Sequence, residues 1–309
     1  MKILFINALL FLTISSAFSQ NDTTLVIDNS INLPALPSGI QLHIYKNDTL
    51  AFGKTNILKN LKNVPADMWQ IAKSPFKKKN LLPLTAVAVS TGLLIWQDQN
   101  ILNGVRQLSD NIGLRPETAY IDVITIGNVK AFRLPKNLNT ALYQLGQGGT
   151  SIILAGGLWT YGKITHDKRA ISTAYDLTET FISMGLTTQI LKRISGRESP
   201  FARTVDGGRW RPLPAFSAYQ NNTPRYDAFP SGHLATLVAT ITVLANNYPE
   251  KKWIVPVGSV VAAGCAYAMI NTEVHWIGDY PLAIAVGYLS GKITTWRHKK
   301  NAPRKRFIP

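Results

Sequence analysis

Six long apolar stretches constrain what this 309-residue chain can fold into more than any other feature of its sequence. Each is long enough for a helix of four to six turns, and none shows the strict apolar–polar alternation of a half-buried strand. The sequence therefore predicts an all-α fold, a bundle of six helices. The stretches cover residues 81–96, 145–161, 170–191, 231–248, 253–270 and 276–293.

The segments around these stretches suggest a division of the chain. Residues 1–19 combine a basic start, an apolar run and a small-residue exit, which is the pattern of a signal peptide. Residues 20–80 are predicted to form a polar N-terminal leader with a short amphipathic helix near 66–73. Residues 81–296 are predicted to form the helical domain, with an irregular insertion at 98–144. Residues 297–309 form a basic tail.

Composition indicates an exported protein near a membrane. Hydrophobic residues make up 46% of the chain and charged residues only 16%, below the roughly 25% of an ordinary soluble domain. Most stretches lie at the lower edge of the ~20 apolar residues that span a bilayer. We expect a periplasmic or inner-membrane-associated protein, and a soluble periplasmic bundle is the alternative.

The positive charges give an expected orientation. The chain has 33 Lys and Arg against 17 Asp and Glu, and the basic residues cluster between later stretches and in the tail. By the positive-inside rule these clusters face the cytoplasm, so the opposite helix ends face the periplasm. Cleavage of the signal peptide would leave the N-terminus in the periplasm, so a cytoplasmic C-terminus requires an odd number of membrane crossings. Six crossings do not satisfy this, but five do if residues 81–96 do not cross the membrane. Because these charges are dispersed over several helix ends and form no single concentrated basic face, we expect no nucleic-acid partner.

Two acidic residues in the third stretch should face the bundle interior. Asp176 and Glu179 are three residues apart and share a helical face, and exposing both to lipid would be unfavourable. The single cysteine, Cys265, excludes an internal disulfide and a cysteine-based metal cluster.

The start of the fourth stretch is suited to bind an anion. Pro230 fits the first turn of a helix, and Ser231, Gly232 and His233 would follow at its positive dipole end. Glycine lets the backbone approach a ligand closely, and His233 on the same turn can donate to a bound oxygen.

The sixth stretch opens with a histidine and an aspartate. His275 and Asp279 are four residues apart, which would place them on one face of a helix. A carboxylate that contacts one imidazole nitrogen fixes the tautomer and leaves the other nitrogen as a nucleophile.

Cations follow the third stretch. Lys192 lies near the end of the predicted helix, where cations are favoured in any case. Arg197 lies in a loop with Gly196, from which an arginine can bind a phosphate with two hydrogen bonds.

Together these segments resemble the type 2 phosphatidic acid phosphatase (PAP2) family, the superfamily shared with vanadium haloperoxidases. The family pattern is a lysine followed seven residues later by Arg-Pro, then Pro-Ser-Gly-His, then Ser-Arg, five residues and His-x-x-x-Asp. Order and spacing match across about residues 145–293. The resemblance implies a six-helix fold of this family.

Two arginines of the family pattern are missing. Ser199 stands seven residues after Lys192, and Met269 stands where the Ser-Arg pair should end. Each absent guanidinium would stabilise transition-state charge. Nearby arginines are candidates to replace them: Arg193, Arg197, Arg203 and Arg225.

The resemblance implies a phosphatase that acts on a phosphomonoester or diphosphate, with a lipid phosphate as one candidate. His275 would attack phosphorus, Asp279 would orient it, and His233 would protonate the leaving oxygen. Phosphate would be held by a set of cations and amides: Lys192, Ser231, Gly232 and Arg197. We expect no cofactor and no metal. The alternatives are a non-catalytic binder of phosphate or anionic lipid, which the missing arginines favour, and a vanadate-dependent haloperoxidase.

Overall fold

The computed structural model describes residues 40–301 except 46, 47, 54, 127 and 128. The predicted signal peptide, residues 20–39 of the leader and the tail from residue 302 lie outside the described residues. In chain order the helices are α1 (Ile57–Leu61), α2 (Val64–Lys73), α3 (Leu81–Asn111), α4 (Leu138–Leu145), α5 (Gly148–Thr165), α6 (Lys168–Ser195), α7 (Phe216–Asn221), α8 (Gly232–Asn247), α9 (Ile254–Asn271) and α10 (Tyr280–Asn301).

The predicted all-α architecture is confirmed, since each of the six apolar stretches forms a long helix. The first helix is longer than predicted and runs on to Asn111, so the irregular segment begins later than residue 98. The predicted amphipathic helix near 66–73 corresponds to α2.

Two β-hairpins depart from the expectation that strands are absent. Antiparallel β1 (Gln41–Tyr45) and β2 (Asp48–Phe52) form one, and β3 (Tyr120–Ile126) and β4 (Val129–Pro135) form the other. Gly127 and Asn128 follow a run rich in β-branched residues, Tyr120–Ile126, a combination that favours a hairpin. The glycines and prolines around this segment favour an irregular insertion instead, so the sequence prediction missed the hairpin.

Local sequence determines where α6 begins and ends. The side chain of Asp167 accepts hydrogen bonds from the N–H groups of Arg169 and Ala170. Gly196 ends the helix in the left-handed conformation at φ 57°, and a Cβ there would lie 1.8 Å from the carbonyl oxygen of Arg211. Only glycine fits this turn, so the chain leaves α6 abruptly just after Lys192.

The core is centred on α8, which packs against α6, α9 and α10. Two glycines on α10 allow the closest approach. A Cβ at Gly287 would lie 2.4 Å from the carbonyl oxygen of Ala235, and one at Gly291 would lie 2.8 Å from Cβ of Thr242. Such small residues let two helix backbones pack in near contact, which sets the distance between the N-terminal ends of α8 and α10.

Asp176 and Glu179 face the interior, as predicted, and are 2% and 0% exposed. Both lie against His298; Glu179 Oε2 is 3.2 Å from His298 Nε2. Although burial opposes it, these carboxylates raise the pKa of His298 to about 10. An ion-pair cluster therefore joins α6 to α10 toward the end of α6 that lies opposite Lys192.

Two helices in the described part of the chain are long and apolar enough to cross a membrane. They are Lys78–Asn111, whose most apolar window is 6% buried, and Ile254–Asn271, whose window is 44% buried. The length and composition of these helices are weak evidence for membrane association.

We expect Gly287→Ala to destabilise the fold by about 1–3 kcal/mol, because the new methyl group meets backbone that cannot rotate away. Gly156→Ala on exposed α5 is the matched control. It meets no atom within 4 Å and should stabilise by about 0.5–1 kcal/mol, because alanine favours a helix interior. Denaturant unfolding measures both, and equal effects of the two substitutions would contradict the close packing of α8 on α10.

Candidate active site

The N-terminus of α8 lies at the centre of the site. Ser231 is the N-cap, and its hydroxyl oxygen accepts from the N–H of Leu234 at 3.4 Å. The helix therefore begins at Gly232, so Pro230 lies one residue before the cap and not within the first turn as predicted. The N–H of Ser231 donates to the carbonyl oxygen of Asp279 at 3.1 Å. The N–H groups of Gly232 and His233, at the positive end of the helix, point toward the space where an anion would bind.

Lys192 lies beside this helix terminus and is 6% exposed. Its Cε and Nζ atoms would lie 3.9 and 4.0 Å from a Cβ built at Gly232. The ammonium donates to the Asp227 carbonyl oxygen at 2.5 Å and lies 3.2 Å from the Asp227 carboxylate. A buried cation and a helix dipole thus combine into a region of positive potential at one end of the bundle.

His275 and Asp279 are in contact. The prediction that they share a face of a regular helix was wrong. Residues Ile277–Asp279 form a 3₁₀ turn that precedes α10. His275 Nδ1 lies 3.3 Å from Asp279 Oδ2, and the same oxygen accepts from the N–H of Trp276 at 2.9 Å. The same carboxylate therefore both caps the turn and orients the imidazole.

Burial determines the protonation of this pair. It lowers the pKa of His275 to about 3 and raises that of Asp279 to about 6, although Arg197 opposes the shift of Asp279. At pH 7 the imidazole is neutral and the carboxylate is ionised, hence an acceptor only. The ionised carboxylate beside Nδ1 favours the tautomer with the proton on Nδ1, which leaves the Nε2 lone pair for a reaction. A backbone hydrogen bond to Ala228 also reaches this histidine and opposes the lowering of its pKa.

His233 faces His275 from the first turn of α8. The two rings are 6.0 Å apart between centroids and nearly perpendicular, at 71°. The other side of His233 lies against Tyr143, whose ring centroid is 4.8 Å away. Burial, His275 and Lys192 lower the pKa of His233 to about 3, so it is neutral in the free protein.

Arg197 lies behind the histidine and not beside the expected phosphate. Its guanidinium donates to Asp279 Oδ1 at 2.7 Å, to the carbonyl oxygen of Gly207 at 2.8 Å and to the carboxylate of Asp98. Arg197, Asp98 and Asp279 are all at most 1% exposed. The arginine therefore acts on His275 through Asp279, which differs from the phosphate contact expected from the sequence.

Asp98 is the residue that sequence reasoning missed. It lies on α3, and its Oδ1 accepts from the N–H of Gly278 at 2.8 Å while Oδ2 pairs with Arg197. The sequence did contain a signal for Asp98, because it is a lone carboxylate at the end of an apolar stretch. A carboxylate buried inside a helical bundle needs a partner.

The positions of the two missing family arginines are both buried. Met269 is 0% exposed, and its sulfur lies 3.5 Å from the hydroxyl oxygen of Ser231. Ser199 is 3% exposed, and its N–H donates to the Pro224 carbonyl oxygen. An apolar side chain thus lies against the anion-binding helix terminus where the family pattern has a cation.

The candidate replacement arginines are engaged elsewhere. Arg193 lies over the rings of Phe216 and Tyr219, 4.2 Å from the Tyr219 centroid. Arg203 pairs with Glu273 at 3.1 Å. Arg225 is exposed. Lys192 is the cation whose charge acts on both histidines.

The loop between α6 and α8 forms a wall of the site. Its Glu198 accepts from the N–H of Arg209 and Thr204 and pairs with Arg211, and the Glu198 carbonyl oxygen accepts from Trp276 Nε1 at 2.7 Å. These bonds attach the loop to the turn that holds His275. Among the described residues, no group of three or more His, Cys, Asp or Glu side chains is placed to hold a metal ion.

Comparison with known proteins agrees with the motif. Residues 174–303, which carry Lys192, His233, His275 and Asp279, match the PAP2 superfamily. A solved structure that matches is the crystal structure of the first transmembrane PAP2 type phosphatidylglycerolphosphate phosphatase from Bacillus subtilis. It is 17% identical, the match covers 81% of this chain and 100% of that chain, and the TM-score is 0.41. No curated protein matches.

We expect Arg197→Met to destabilise the protein by about 3–5 kcal/mol, because it leaves two buried carboxylates without their shared cation. Arg203→Met is the matched control. Its arginine is 33% exposed in its ion pair, so its loss should lower stability by no more than about 1 kcal/mol. Equal unfolding free energies for the two variants would contradict the structural role of Arg197.

Proposed function

We propose that this protein is a phosphatase that hydrolyses a phosphomonoester or diphosphate through a phosphohistidine on His275, with a lipid phosphate as a candidate substrate. The match of residues 174–303 to the PAP2 superfamily supports the reaction class. The observation that carries the mechanism is the buried, neutral His275, whose Nδ1 faces the ionised Asp279.

In the first step Nε2 of His275 attacks phosphorus, the bond to the leaving oxygen breaks, and a P–N bond forms. The imidazole becomes cationic, and Asp279 stabilises that charge through Nδ1–H. His233 donates a proton to the leaving oxygen. For this it must be protonated, and a bound phosphate dianion favours its protonated form because opposite charges attract.

In the second step water attacks the phosphohistidine. His233, now neutral, accepts a proton from the water while the P–N bond breaks and releases inorganic phosphate. His275 returns to its neutral form, and His233 returns to the protonated form that it had at the start of the first step.

Lys192 and the N–H groups of Gly232 and His233 would hold the phosphoryl oxygens, with Ser231 orienting the helix terminus. Phosphoryl transfer spreads negative charge over these oxygens, so fixed positive groups lower the barrier. Arg197 supports the nucleophile through Asp279 and does not bind phosphate in this proposal.

The alternative is a weakly active or non-catalytic relative that binds phosphate or anionic lipid. The observation that favours it is Met269, an uncharged side chain packed against Ser231. The buried Arg197–Asp279–His275 arrangement favours the enzyme, since a phosphate binder does not need an oriented imidazole.

We further propose that the protein is exported and associates with a membrane, with the histidines facing the periplasm. The signal-peptide pattern and the distribution of basic residues support this orientation. Two long apolar helices are compatible with it.

We expect His275→Ala to lower phosphate release by at least about 10³-fold, because it removes the nucleophile. His166→Ala is the matched control, since His166 is an exposed histidine at the end of α5. The assay is phosphate release from phosphatidate, an isoprenyl diphosphate and a soluble monoester. An alkaline quench should trap a base-stable, acid-labile phosphoenzyme in the wild type.

Two outcomes of this assay would contradict the proposal. Wild-type activity in His275→Ala would exclude a phosphohistidine at this position. Phosphate binding without turnover on all three substrates would favour the binder.

We expect sulfate binding at pH 5 to take up protons, up to about one per site. Free His233 has a pKa lowered to about 3, and a bound dianion should raise it, so the bound form holds more protons. Calorimetry in two buffers of different ionisation enthalpy measures the uptake. It should disappear in His233→Ala and persist in His166→Ala, and uptake that persists in His233→Ala would contradict the role of His233.

A further inference from the structure

Two adjoining cavities lie outside the catalytic site. One, of about 410 Å³, is an apolar groove between α2, α3, α6 and α10, and its walls include Leu84, Ile190, Leu282 and Ala285. The other, of about 480 Å³, lies beside the later turns of α10. Asn80 and Leu289 line both cavities, so the two adjoin.

The second cavity is basic. Its lining holds Lys77, Lys79, Lys292 and Arg297, and the residues that line it include no carboxylate. Arg297 pairs from behind with the buried Asp67, and Lys292 donates to the hydroxyl oxygen of Tyr288. Lys77 and Lys79 are exposed. An apolar groove that ends in a cationic pocket is complementary to an amphiphile with an anionic head.

The surrounding surface has the composition of a membrane interface. Large side chains with apolar bodies are exposed on both sides of the basic cavity: Trp69 at 64%, Phe76 at 73%, Leu82 at 81% and Trp296 at 57%. Tryptophan and basic side chains concentrate where lipid headgroups lie, and basic pockets between helices bind anionic headgroups.

The groove is separate from the catalytic pocket. Thr188 and Lys192 on α6 face Gly232 of α8, whereas Thr187, Ile190 and Ile194 face the groove on the opposite side of the helix. Lys292 follows Asp279 by 13 residues, which at 1.5 Å per residue is roughly 20 Å along α10. A substrate held at His275 therefore cannot place its phosphate in the basic cavity.

We propose that these adjoining cavities bind one molecule of an anionic glycerophospholipid, with its acyl chains in the apolar groove and its headgroup phosphate at Lys77, Lys79 and Lys292. The bound lipid would fill the space between α2, α3 and the α6–α10 pair. Its role is structural and independent of turnover at His275.

The test counts lipids bound to the purified full-length chain by native mass spectrometry, after exchange into detergent with phosphatidylglycerol or phosphatidylcholine. The wild type should retain phosphatidylglycerol and not phosphatidylcholine. Lys77→Glu/Lys79→Glu should lower phosphatidylglycerol occupancy at least about tenfold, since each basic residue near a headgroup contributes measurably to binding. Ala285→Phe should lower it by filling the groove.

Matched controls separate this site from general charge and from catalysis. Lys251→Glu/Lys252→Glu makes the same charge change at two exposed lysines elsewhere and should leave occupancy unchanged. His275→Ala should also leave it unchanged, whatever its effect on turnover. Lys77→Gln/Lys79→Gln should give an intermediate loss, and circular dichroism confirms that each variant is folded.

Equal retention of the two phospholipids would overturn the proposal. So would phosphatidylglycerol occupancy that Lys77→Glu/Lys79→Glu or Ala285→Phe leaves unchanged.

Discussion

The buried cation Arg197 is the interaction on which the rest of the candidate site depends. It pairs with two carboxylates that are removed from water, Asp279 beside His275 and Asp98 on α3. Breaking a buried pair leaves an uncompensated charge, so neither carboxylate could be held ionised there without it. Asp98 in turn binds the N–H of Gly278, so one charge cluster joins α3, the loop after α6 and the turn that carries His275.

Helix packing supplies the second half of the geometry. His233 is on α8 and Asp279 directly precedes α10, so the distance across the site depends on how closely these helices pack. Gly287 and Gly291 bring the backbones into near contact, and the N–H of Ser231 bonds to the carbonyl oxygen of Asp279. The imidazoles therefore face each other from two elements that cannot move apart independently.

Much of this arrangement could be predicted from sequence, and the reason lies in local periodicity and motif spacing. The six apolar stretches form six helices. The helix starts and turns that the local sequence specifies carry the site residues Ser231, Gly232, His233, His275 and Asp279. The role of Arg197 could not be predicted, because the direction of a loop arginine depends on partners such as Asp98, 99 residues away. The hairpins were missed because the glycines and prolines around their strands favoured an irregular segment.

The central claim is that His275 is a neutral imidazole with its proton on Nδ1 and its lone pair on Nε2. Nitrogen-15 NMR of histidine-labelled protein measures this directly, with the His275→Ala spectrum assigning the signal among the five histidines. The account predicts a protonated Nδ1 and an unprotonated Nε2 from pH 7 to pH 8, because Asp279, with a pKa raised to about 6, is then ionised and His275, with a pKa lowered to about 3, is neutral. A signal that titrates near pH 6.5, or a proton on Nε2 with Nδ1 bare, would contradict it.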